Sequence, residues 1–261
     1  MEFKMIHKSY LLVLLVLGSA CERPMYFAGP EISMLNRLEK AGDVQVQGSI
    51  MEMAQQTRQG MAAVAVSNRL ALRAGYLSGG DGELRITDEY GRLRAYQLGF
   101  GGYYPIGNSG YQGTTWLGYS RGEVYNVSLL YGYRPNKVPE YFELSNSYAR
   151  FYLEQQLSTN IKGLEFFGML RAGQTQVFNL SQQEVPGDPG RISRQFDLQR
   201  SQPNMFFASL GGGVAGGSKN LRLHLQIEYW MGPGRQQISD VIAISMSTGL
   251  SWRFGTAGWF K

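Results

Sequence analysis

The chain has 261 residues, of which only 17% are charged; it carries a net charge of +5, 34 Gly, 16 Tyr, 13 Phe and a single Cys. A soluble domain of this size carries nearer a quarter charged residues, and so mild and scattered a positive charge gives no case for nucleic acid as a partner. One cysteine excludes an internal disulfide, and with His224 the only histidine beyond residue 20 there is no metal-ligand cluster.

In chain order, residues 1–20 read as a secretory signal peptide. Lys4 and Lys8 are its basic start, Leu11 to Leu17 its short apolar stretch, and Gly18-Ser19-Ala20 its small residues. The apolar stretch is too short to span a bilayer, and nothing later reaches 18 continuous apolar residues. Cys21 follows at once and resembles the lipidated cysteine of a bacterial lipobox, although Gly18 stands where the usual Leu would be and Leu17 lies one place earlier. Lipidation at Cys21 would make residues 21–42 a lipid-anchored periplasmic linker. An ordinary signal peptide cleaved near Ala20 is the alternative.

Residues 43–255 alternate with period two, the mark of β-strands. Ten strands are expected, near 44–53, 60–67, 69–77, 94–104, 114–125, 148–159, 164–177, 205–216, 221–231 and 242–254, with residues 256–261 as a tail. Leu221, Leu223, Leu225, Ile227, Tyr229 and Met231 oppose Arg222, His224, Gln226 and Glu228. In the last strand Ile242, Ile244, Met246, Thr248, Leu250, Trp252 and Phe254 oppose Ala243, Ser245, Ser247, Gly249, Ser251 and Arg253. A strand with one bulky apolar face and one small or ionic face suits a barrel in lipid, oily side outward. A soluble sandwich or lipocalin-like barrel would need the reverse, with Gly and Ser outside and Trp252 and Phe254 inside.

The connections alternate in length. Short turns at 67–69, 105–113, 160–163 and 217–220 fall on one side, and segments 54–59, 78–93, 126–147, 178–203 and 232–240 on the other. Short periplasmic turns and long outer loops are the asymmetry of outer-membrane barrels, and an even strand number puts both termini in the periplasm. The expected fold is therefore all-β: a transmembrane antiparallel up-and-down β-barrel of about ten strands, eight being the alternative.

The polar phase gives an expected lumen network of Arg73, Arg150, Glu154, Glu165, Arg171, Arg222, His224, Glu228 and Arg253. Arg and Glu enclosed together pair through forked hydrogen bonds, and ten strands with Tyr152 inside leave a blocked or very narrow bore. Catalysis is not expected. His224 and Glu228 lie about 13 Å apart along one strand, and position 226 is Gln, so the His-x-Ser pattern of lipid A deacylases is absent. Gly211-Gly212-Gly213 reads as strand curvature or close packing, not as a phosphate loop. No cofactor is called for.

Two resemblances extend this reading. The order Ser247, Gly249, Trp252, Phe254 resembles the C-terminal strand signal read by the outer-membrane barrel-assembly machinery of Gram-negative bacteria, which makes that machinery an expected partner during biogenesis. Gln97-Leu98-Gly99-Phe100-Gly101-Gly102-Tyr103-Tyr104-Pro105, then Trp116-Leu117-Gly118-Tyr119-Ser120-Arg121-Gly122, and Phe151-Tyr152-Leu153-Glu154-Gln155-Gln156 after a long loop, resemble the lipid-anchored outer-membrane barrels of Bacteroidetes-type bacteria. That family has no settled activity to carry over. The expected role is structural: an accessory of an envelope complex, or a binding platform whose loops 126–147 and 178–203, with Tyr131, Tyr133, Tyr141 and Phe142, meet other envelope proteins. A narrow porin for small solutes is the alternative, and a lipid-modifying barrel enzyme comes third.

Overall fold

The computed structural model describes residues 31, 33–35, 37–52, 56–79, 90–107, 110–129, 141–184, 204–231 and 243–255. They form ten strands: β1 (Asp43–Glu52), β2 (Gln56–Ala65), β3 (Leu70–Gly79), β4 (Tyr90–Ile106), β5 (Tyr111–Leu129), β6 (Tyr141–Ile161), β7 (Leu164–Glu184), β8 (Asn204–Gly217), β9 (Leu221–Met231) and β10 (Ala243–Gly255). Each strand pairs antiparallel with its sequence neighbours, and β1 pairs with β10, so the sheet closes into an up-and-down barrel with no free edge. Where all ten strands overlap, closure pairs each strand on both sides, the condition for a sheet in hydrocarbon.

Asp43 stands opposite Gly255, so β1 begins and β10 ends at the same rim, called here the turn end. The tight connections lie there too. Lys162 and Gly163 have φ of 51° and 88°, the two left-handed positions of a type I′ hairpin. Ser67 and Ser218 accept the amides of Leu70 and Leu221, each at 3.0 Å. The other rim is the loop end.

Four strands run further than expected. β4, β5, β6 and β7 have 17, 19, 21 and 21 residues and continue well past the apolar stretch towards the loop end. Their extensions carry Arg92, Arg94, Glu123 and Ser145 on the outer face, with Leu93, Val124 and Tyr148 buried on the inner one, so the oily-outside alternation is lost there. Tyr141 and Phe142, expected in a loop, therefore lie in β6. Gln56–Gln59, expected in a connection, opens β2.

The faces sort as a lipid barrel requires. Leu117, Leu223 and Trp252 are 62%, 63% and 57% exposed on the outer wall. Along β4 the outward residues from Tyr96 to Ile106 are Tyr96, Leu98, Phe100, Gly102, Tyr104 and Ile106. At roughly 3.3 Å per residue and a tilt of roughly 40°, that stretch is about 25 Å high, the height of an outer-membrane apolar band.

Inward glycines make room for large lumen side chains. The Tyr152 ring lies across Gly118, Trp116 across Gly101, and the Arg73 stem 2.8 Å from where a Cβ on Gly99 would sit. Met169 and Phe167 lie in the same way across Gly211 and Gly213. The small inner phase is thus the floor on which the lumen side chains rest.

Candidate functional site

The lumen is filled by the chain's own N-terminal segment. Glu31, Ser33, Met34, Leu35, Arg37 and Leu38, from the segment read as a periplasmic linker, lie buried inside the barrel, while Glu39, Lys40 and Ala41 are exposed at the turn end. From Leu38 back to Glu31 the segment climbs from the turn end to the middle of the lumen.

Glutamine side chains hold this segment as a neighbouring strand would. The Arg37 amide donates to Gln45 Oε1 at 2.8 Å and the Leu35 amide to Gln47 Oε1 at 3.0 Å. Gln45 Nε2 returns a bond to the Leu35 carbonyl, and Gln47 Nε2 one to the Ser33 carbonyl at 3.3 Å. Gln45 and Gln47 are two apart on β1, so they meet residues two apart on an extended partner. From the opposite wall Gln156 Nε2 donates to the Met34 carbonyl at 2.7 Å and Gln112 Nε2 to the Leu38 carbonyl at 2.9 Å. A primary amide has both donor and acceptor, so it can stand in for a peptide group.

Apolar recesses take the remaining side chains. Met34 and Leu38 pack with Met61, Ala63, Ala65, Ala71, Tyr103 and Trp116. Leu35 packs with Phe167 and Ala215. These wall residues are an apolar patch on the inner face, covered by the plug; a second buried apolar cluster, Leu77, Leu93, Ala95, Val124 and Tyr148, lies nearer the loop end.

Above them Glu154 joins the walls and the plug. Arg73 forks onto it through Nη1 at 2.8 Å and Nη2 at 3.2 Å, and Arg171 through Nε at 2.9 Å and Nη2 at 2.7 Å. Gln156 Nε2 and the Ser33 hydroxyl also donate to it, at 2.8 and 3.0 Å. Arg171 donates on to the Glu31 carbonyl at 3.0 Å and to the Ser33 hydroxyl. Higher still, Glu31 pairs with Arg150 at 3.2 Å and accepts from the Ser120 hydroxyl. The Arg150 guanidinium lies 4.7 Å from the Phe207 ring centre and 5.2 Å from that of Trp230.

A second ionic layer closes the turn end. Glu165 pairs with Arg222 at 2.8 Å and Arg37 at 3.3 Å; Arg253 reaches Glu39 at 2.5 Å and the Arg37 carbonyl at 2.8 Å. Burial, and then the neighbouring Arg222, push the Arg37 guanidinium below its ordinary value, against the pull of Glu165. Among the described residues these layers set Arg37, Arg73, Arg150, Arg171, Arg222 and Arg253 against Glu31, Glu39, Glu154, Glu165 and Glu228. The charges nearly cancel, so the lumen holds itself together without a strong field of one sign.

The structure places Arg73, Arg150, Glu154, Glu165, Arg171, Arg222, His224, Glu228 and Arg253 inside, all buried. Arg73, Glu154, Arg171 and Glu228 come together, Arg171 reaching Glu228 at 3.9 Å. Arg222, Glu165 and Arg253 form the separate lower layer. His224 joins neither layer. Its Nε2 is 3.1 Å from the Ser49 hydroxyl, its Nδ1 has no partner among the described residues, and Glu228 instead accepts from Ser209 at 2.7 Å. A Ser–His contact with nothing to orient the second ring nitrogen lacks the third member of a nucleophilic triad. No group of His, Cys, Asp and Glu among the described residues could hold a metal ion. Of the C-terminal signal, Ser247 faces inward, Gly249 lies beneath His224, and Trp252 and Phe254 face outward with ring centres 5.7 Å apart. Cys21, Tyr131 and Tyr133 lie outside the described residues.

Sequence reasoning missed the plug residues Glu31, Ser33, Met34, Leu35, Arg37 and Leu38, together with Trp116 on the wall. The inward glutamines and the Met61-Ala63-Ala65 phase were the available signals: an amide row and an apolar patch inside a polar lumen both need a partner.

No family model and no curated protein matches this chain. Among solved structures it is similar to the translocator domain of the autotransporter NalP from Neisseria meningitidis, at 11% identity over 81% of this chain and 86% of that one, TM-score 0.43. It is also similar to the outer membrane protease OmpT of Escherichia coli, at 9% identity over 82% and 94%, TM-score 0.43, and to the attachment invasion locus protein Ail of Yersinia pestis, at 10% identity over 82% and 99%, TM-score 0.32. Likeness at this level brings neither activity nor ligand to this chain.

Proposed function

We propose that this chain is an outer-membrane β-barrel lipoprotein, anchored through Cys21, whose barrel is a sealed structural body serving an envelope complex rather than a pore or an enzyme. The carrying observation is the lumen. Glu31, Ser33, Met34, Leu35 and Arg37 are held there by glutamine amides, by the Glu154 carboxylate and by ionic layers at two heights. A barrel that spends its interior on binding itself keeps its outer rim for partners, and the extensions of β4 to β7 raise that rim above the apolar band. The outward apolar band supports a bilayer setting, since so continuous an oily surface would associate in water. In planar bilayers the purified chain is expected to give no steady openings, whereas ohmic single-channel steps would sink the sealed-body reading.

One observation favours a narrow porin as the second reading. The buried amides of Gln97 and Asn146 and the Trp230 indole nitrogen have no partner among the described residues, which leaves polar groups that a solute entering from the loop end could meet. Catalysis has no comparable support. A lipid hydrolase would release acyl chains in a reaction abolished by His224→Ala, and no such release is expected.

A further inference from the structure

The outer wall does not end in lipid-facing side chains. Across β4, β5, β6 and β7 the outward residues form rows fixed by the register. Phe100, Leu117, Leu153 and Ala172 make one row, and Leu98, Tyr119, Phe151 and Gln174 the next. Tyr96, Arg121, Ala149 and Gln176 follow, then Arg94, Glu123, Ser147 and Phe178, and finally Arg92, Tyr125, Ser145 and Ser181. The change from apolar to basic takes place within two pleats.

The wall is also concave there. A groove of about 560 Å³ opens against Arg92, Arg94, Glu123, Tyr125, Ser145 and Ser147. Beside it, the step from Ser145 to Ser147 in β6 faces the longer step from Ser181 to Phe178 in β7, and Asn179 in that step has φ of 52°. This is a β-bulge, which bends its strand. The two serines leave the floor of the groove low.

We propose that this groove binds the phosphate of an anionic lipid in the leaflet on the loop side, with Arg92 and Arg94 as its principal ligands and Arg121 beside them. The inference rests on the membrane reading above. Three observations converge on it. The first is depth: Tyr96 lies directly below Arg94 and packs on Tyr76 at 5.1 Å between ring centres, and tyrosines of this kind mark the headgroup level. A guanidinium one pleat higher meets headgroups rather than acyl chains. The second is charge: three arginines face one carboxylate, and among the described residues none of Arg92, Arg94 and Arg121 has an ion-pair partner, whereas the inward arginines share their glutamates. The third is shape: a forked guanidinium suits a phosphate, and Ser145 and Ser147 add hydroxyl donors on the floor.

Free inorganic phosphate would present the same chemistry, so the test separates the two sources. The whole chain and an Arg92→Gln/Arg94→Gln variant are placed in phosphatidylcholine nanodiscs doped with bis-phosphorylated lipid A or with the same lipid after removal of its phosphates. Retained lipid A is counted by native mass spectrometry, with and without 10 mM inorganic phosphate. The wild type is expected to retain the phosphorylated lipid at least tenfold better than the variant. It should not retain the dephosphorylated lipid, and a Lys162→Gln control at the opposite rim should behave as wild type. Equal retention by the double variant, or retention of the dephosphorylated lipid, would overturn the proposal. Displacement of the lipid by inorganic phosphate at equal occupancy would overturn the lipid as the ligand. Recovery of the chain as a detergent-free monomer that never enters discs would overturn the membrane reading instead.

Discussion

At the residue scale, Glu154 decides whether the lumen charges help or harm. It is fully buried and accepts both forks of Arg73 and Arg171. Removing one member of a buried pair leaves an uncompensated charge, at a cost of about 3–5 kcal/mol. Glu154→Gln would leave two buried arginines facing each other, and urea unfolding in lipid vesicles should show a loss of that size. Glu39→Gln serves as a contrast. Its carboxylate is 61% exposed in its pair with Arg253, so a change within about 0.5 kcal/mol is expected. Period two alone made the inward set legible in the sequence. It could not show which glutamate gathers the arginines, because that depends on the register between β6, β7 and β3, and the registers come from ladders no single strand displays.

At the element scale, the strands were legible where lipid imposes alternation and illegible above it. Towards the loop end the outer face turns polar at Arg92, Arg94, Glu123 and Ser145 while Leu93, Val124 and Tyr148 are buried inside, so the oily-outside alternation is lost although the β6–β7 ladder continues to Phe142 and Glu184. The plug was illegible for a different reason. Glu31-Ile32-Ser33-Met34-Leu35-Asn36-Arg37-Leu38 has no periodic signal of its own, and what makes it extended is the row Gln45, Gln47 on β1. Gln47→Ala removes the partner of the Leu35 amide and the Ser33 carbonyl. Each buried group left unpaired costs about 1–3 kcal/mol. Hydrogen exchange at the Leu35 amide should therefore speed up at least tenfold relative to the β5 and β6 ladders, and by more than at the Arg37 amide, which Gln45 still holds. Unchanged protection would mean the glutamines are not what holds the plug.

At the scale of the whole molecule, a closed sheet, an oily exterior and a self-filled interior form one design. The exterior removes the need for a soluble surface, and the interior is left free to be polar and paired. Together they make the barrel a body whose variable parts are its rim and its loops. If the plug is what seals it, a chain lacking residues 31–38 should give conductance steps in planar bilayers while the full chain stays silent. Silence from both would assign the seal to the wall side chains Arg73, Trp116, Tyr152 and Arg171 instead.

The orientation of the wall underlies every one of these expectations, and tryptophan fluorescence reads it directly. Trp252 faces outward, whereas Trp116 and Trp230 face the lumen. In vesicles of lipids brominated on their acyl chains, a variant keeping only Trp252 should be strongly quenched and a variant keeping only Trp116 should stay bright. A bright Trp252 beside a quenched Trp116 would show the wall turned inside out and would contradict the account.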